Sequence, residues 1–130
     1  MIKYLSVKNV IELNKKIINR SGGLHGLRDM NLLESAVLAP QVVLYGTEMY
    51  PSIHEKAGAY LFHLTKNHPF LDGNKRTSVI AVITFFEVNK AQVKFSDEDI
   101  ENVVCQVAEN KLNKSEIFLF MEFGKIPVYH

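Results

Sequence analysis

His68-Pro69-Phe70-Leu71-Asp72-Gly73-Asn74-Lys75-Arg76-Thr77 leads into an apolar run over residues 79–88 that contains no helix breaker. That order reads as a loop feeding the N-terminus of a buried helix over residues 73–89. A helix start offers unpaired N–H groups and a partial positive charge, so it is a natural seat for phosphate. Glycine lets the backbone approach a ligand closely, and Lys75 and Arg76 add charge where phosphates would lie. Two cations in a first helical turn oppose the macrodipole, at a cost of roughly 0.3–1 kcal/mol each. A bound anion would remove that conflict. Asp72 is placed to hold magnesium on such phosphates, Asn74 to offer its amide or to cap the turn, and His68 to take a proton from an attacking hydroxyl.

Working outward, the chain reads as helices. Ser6 is a candidate N-cap for a helix ending at Ser21-Gly22-Gly23, with Val7, Val10, Ile11, Asn14, Ile17 and Ile18 on one face. Asp29 can cap a short helix over residues 30–38, which Pro40 ends. Ser52 and Glu55 form a capping box opening a helix to about Asn67. Ser96 and the acidic residues after it start a helix with the stripe Ile100, Val103, Val104, Val107 and Ala108. Ser115 starts the last helix, and Gly124 can end it. Residues 41–51 carry no clear period, and residues 92–95 are the one short run that could be a strand. Six helical segments with short connections predict an all-α fold, a compact bundle around the central buried helix.

The 130 residues are expected to form one domain, 1–130. Apolar content of 47% with 22% charged residues is ordinary for a globular protein. A net charge of +1 gives no global pull toward nucleic acid or an acidic membrane, so any anion site must be local. No spanning helix or signal peptide is legible, and a cytoplasmic protein is the default expectation. Cys105 stands alone beside an apolar stripe and is expected to be a small core residue. His54, His63 and His68 lack the spacing of a helical zinc site. His63 is expected in the core or at the cleft edge on the helix facing the loop, and Tyr45 and Tyr50 could line a groove, with surface packing the simpler reading.

His-Pro-Phe-x-Asp-Gly-Asn-Lys-Arg resembles the signature of the Fic/Doc superfamily in its death-on-curing (Doc) version. Further likeness runs through Gly22-Gly23-Leu24-His25-Gly26-Leu27-Arg28-Asp29, through Leu32-Leu33-Glu34-Ser35-Ala36, and through Pro40. The Fic branch typically has a second glycine where this chain has Lys75, and a second arginine where it has Val79. Fic proteins are AMP transferases acting on protein hydroxyls, whereas both substitutions match the Doc pattern. The resemblance implies that ATP binds in the opposite sense, with its γ-phosphate at the anion hole.

The resemblance further implies an ATP-dependent protein phosphotransferase, the toxin of a toxin–antitoxin pair. It would phosphorylate a threonine of a translation factor, with elongation factor Tu the leading candidate, and so inhibit translation. His68 would be the general base and Asp72 the magnesium ligand. Gly73 and Asn74 would form the anion hole, and Lys75 and Arg76 would neutralise phosphates. Many Doc-like chains have alanine where Gly73 stands. No internal Ser/Thr-x-x-x-Glu-Gly/Asn inhibitory motif is present, so restraint is expected from a cognate small antitoxin. The alternatives are a Fic-type AMP transferase and a catalytically silent binding module of the same fold. Direct nucleic-acid binding is the weakest reading.

Overall fold

A computed structural model describes residues 1–126. Six α-helices carry the fold among them: α1 (Val7–Ser21), α2 (Met30–Leu38), α3 (Ile53–Asn67), α4 (Asn74–Val88), α5 (Asp97–Ala108) and α6 (Lys114–Phe123). The helix starts follow from side-chain caps. Ser6, Ser52, Ser96 and Asn113 each accept the N–H of the third helical residue, whose side chain returns to the cap N–H, and Asp29 accepts from Leu32 N–H. The last helix therefore begins at Lys114, capped by Asn113, one residue before the expected Ser115.

The centre is shared by two helices. α4 packs on α1, α3 and α5, while α3 meets α2, α4, α5 and α6. Residues 56–61 of α3 are buried without interruption. Gly58 makes the α3–α6 approach possible, since a Cβ there would lie 2.5 Å from Phe118 Cδ1. Tyr60 sits edge-on to Phe85 and accepts the Leu5 N–H at 3.0 Å, and burial pushes its phenol up to about 12. The four α5 stripe residues from Ile100 to Val107 are buried, but Ala108 is exposed. No helix of the described residues is long and apolar enough to cross a membrane.

Two expectations are corrected, and one unassigned stretch gains its structure. Residues 92–95 form no strand. Phe95 instead turns into the core, with its ring centroid 6.1 Å from Phe86 and 4.9 Å from Phe120. The strands lie in the unassigned stretch, after a 3-10 turn at Ala39–Gln41 that contains Pro40. There β1 (Val43–Leu44) pairs antiparallel with β2 (Thr47–Glu48) across Tyr45-Gly46, both with positive φ, 51° and 78°. Cys105 is exposed rather than core, because it falls one position outside the buried stripe of α5.

Candidate active site

Two loops build the site. Residues 23–29 run alongside residues 67–72 and pin them. Leu71 N–H donates to Gly26 O at 3.0 Å, Leu27 and Phe70 form an isolated antiparallel bridge, and Pro69 O accepts from Arg28 N–H at 2.7 Å and Asp29 N–H at 3.1 Å. Asn74 closes the loop from the other end. Its Oδ1 accepts the Phe70 N–H and its Nδ2 donates to Phe70 O, both at 2.9 Å. The side-chain amide expected at phosphate is thus engaged in folding the loop, which leaves the backbone N–H of Asn74 without a protein acceptor.

Asn14 on α1 is 2% exposed inside an otherwise apolar stripe, where an amide must find partners. Its Nδ2 donates to Asp72 O at 3.0 Å and to Thr77 Oγ1 at 3.1 Å, so α1 holds both the loop and the first turn of α4. Gly73, the N-cap of α4, adopts φ 77° and ψ 18°, and a Cβ there would come within 3.1 Å of Ile18 Cδ1. Glycine takes this conformation without strain, whereas a Cβ would be strained here and would press on Ile18.

Among the described residues, α4 is the one α-helix without a side-chain cap. The N–H groups of Asn74, Lys75 and Arg76 have no protein acceptor there. All three residues line a cleft of about 380 Å³, together with His68, Asp72 and Gly73. His68, Lys75 and Arg76 are exposed, and neither cation forms an ion pair among the described residues. The loop thus brings all six sequence-nominated residues to one cleft. A second chamber of about 350 Å³ adjoins it, sharing Ile17, Ser21, Lys75 and Arg76, with Val79 and the exposed Cys105 in its wall. The position where the Fic pattern has its second arginine is therefore an apolar surface.

Asp72 is half-buried, and its Oδ2 accepts the Leu24 N–H at 2.7 Å. The described residues contain no cluster of three or more metal-ligating side chains. That donor set fits magnesium, which is commonly held by one or two carboxylates with substrate phosphates and water completing its octahedron.

His63 is not at the loop. It lines a separate groove with residues that include Leu38, Tyr50 and Lys114, and burial, with Lys114 nearby, lowers its imidazole to about 4. Tyr50, expected at the surface, is 4% exposed and accepts from Lys114 Nζ at 2.8 Å. Tyr45 stands in solvent at the hairpin tip. Asn14 and Arg28 are the site residues that sequence reasoning left without a role. The signal for Asn14 was a lone amide in an apolar stripe.

Residues 4–86 match the family model described as the Fic/DOC family. Two relatives align over most of their own length as well as of this chain. Toxin Doc of Mycolicibacterium smegmatis is 36% identical over 110 residues, covering 83% of this chain and 82% of that protein. Protein kinase doc of Escherichia phage P1 is 27% identical over 117 residues, covering 89% and 90%.

Proposed function

The chain belongs to the Fic/DOC family, and on that premise we propose that it is a Doc-like toxin kinase that moves the γ-phosphoryl group of ATP to a threonine hydroxyl of a translation factor, elongation factor Tu being the candidate target. The observation that carries the reading is the uncapped start of α4, where three residues with free N–H groups, two of them cations without an ion pair among the described residues, line the cleft that His68 also lines. Phosphoryl transfer asks mainly for positioning and charge stabilisation, which this set can supply.

The terminal phosphate is the most highly charged of ATP, and the added cation Lys75 suits it better than the α-phosphate. In this reading the N–H groups of Asn74, Lys75 and Arg76 hold the γ-phosphate oxygens. His68 accepts the threonine proton as that oxygen bonds to phosphorus, the β–γ bridging bond breaks, and ADP leaves. Asp72 would hold magnesium, which when bound neutralises phosphate charge. The name of the phage relative, a protein kinase, agrees with transfer of phosphate.

Restraint would come from a cognate small antitoxin acting in the cytoplasm. Expression of the chain without that partner should arrest growth and translation, whereas His68→Ala should be tolerated at equal protein level. General-base loss typically costs 10²–10⁴-fold, roughly 3–5 kcal/mol of barrier. Normal growth with folded wild-type protein would overturn the toxin reading.

A further inference from the structure

His68 ends α3 in an unusual way. Its backbone lies in the left-handed region, φ 50° and ψ 55°, which residues with a Cβ adopt uncommonly. Two other helices end on glycine, and the glycine N–H returns to the helix: Gly22 to Ile18 O and Gly124 to Phe120 O, each at 2.8 Å. α3 has no such bond from its cap, and the next residue, Pro69, has no N–H to give. Its terminal carbonyls must be met from elsewhere.

Arg28 meets them. Its Nε donates to His68 O at 2.7 Å, its Nη2 to Asn67 O at 2.8 Å, and its own backbone N–H to Pro69 O at 2.7 Å. Three successive carbonyls around His68 are thus held by one residue. Two of those bonds come from the rigid fork of the guanidinium, which fixes the peptide planes from which the imidazole projects. Arg28 forms no ion pair among the described residues and does not line the His68 cleft. Its effect therefore runs through His68 rather than through contact with the nucleotide.

We infer that Arg28 is a positioning residue: its guanidinium clamps the end of α3 and sets the direction in which His68 meets the hydroxyl nucleophile. The inference rests on the reading of His68 as general base. A lysine ammonium has three donors but no rigid planar fork, so it cannot hold the two peptide planes in the same fixed geometry, and the role belongs to arginine.

The test is a double-mutant cycle on the full chain, with Arg28→Ala and Arg28→Lys made alone and together with His68→Ala. Transfer is read with γ-labelled ATP and purified elongation factor Tu, ATP binding by calorimetry, folding by thermal melt, and the His68 imidazole by NMR. Both Arg28 variants should bind ATP within about twofold of wild type, since the cleft residues are untouched. A misaimed base should lower kcat on the order of 10²-fold with KM for ATP unchanged. In the His68→Ala background the same changes should cost nothing further. The His68 cross-peak, single in wild type, should broaden or split in both variants.

Equal losses in both backgrounds, full rescue by lysine, or an unaltered His68 cross-peak would overturn the proposal. A wild type that transfers nothing would instead overturn the kinase reading. The cross-peak then decides whether Arg28 positions His68.

Discussion

Gly73 shows how narrowly the proposed anion seat is made. Its φ of 77° strains a residue with a Cβ, and a Cβ there would stand 3.1 Å from Ile18 Cδ1 and 3.3 Å from Asn14 Nδ2. Gly73→Ala should therefore destabilise the protein by about 1–2 kcal/mol through the left-handed backbone alone, read as a lower denaturant midpoint. A neutral substitution would show that the loop relaxes freely. His63 makes a prediction of the opposite kind, away from the site. Burial first, then Lys114, holds its imidazole at about 4, below its ordinary 6.5. Between those values the unfolded chain binds a proton that the folded chain refuses, so stability is lost as pH falls from 6.5 toward 4. His63→Gln should show a smaller drop in melting temperature over that window than the wild type does. The residues of the motif were legible because their chemistry is concentrated in ten positions. Arg28 and Asn14 were not, because their bonds reach partners 39 or more residues away.

At the level of elements, α3 is held by a close approach that its sequence hides. Gly58 reads as a weak point in a helix, yet it lets Phe118 and Ile117 of α6 lie against the α3 backbone. Gly58→Ala would raise intrinsic helix propensity, by roughly 0.5–1 kcal/mol. The Cβ would meet Phe118 at 2.5 Å, however, and overpacking of this kind costs about 1–3 kcal/mol. The net expectation is a lower melting temperature, and a higher one would show that α6 can shift outward. Five of the six helix starts followed from local capping chemistry, which is why α1, α2, α3 and α5 were legible nearly to the residue. The hairpin was not, because Tyr45 occupies a turn position that usually takes Asn, Asp or Gly, and its four strand residues are exposed on both faces. Residues 92–95 alternate like a strand but meet no partner strand. Lys94 O lies 2.2 Å from where a Cβ on Gly124 would stand, so this segment packs against the end of α6 instead.

Across the whole molecule, charge is almost balanced at +1, and the field at the proposed site is local: one uncapped helix, with Lys75 and Arg76 in its first turn and Asp72 just before it. Composition could exclude a general polyanion binder but could not point to the cleft. The motif pointed to it, and the packing of α1 against α4 assembles it. The direction of ATP in that cleft is the central claim, and it turns on which phosphate sits at the start of α4. The most direct measurement incubates the wild-type chain and His68→Ala with elongation factor Tu and either α-labelled or γ-labelled ATP. The account predicts label on the factor from γ-labelled ATP alone, and only with His68 present. Label from α-labelled ATP would contradict it and make the chain an AMP transferase.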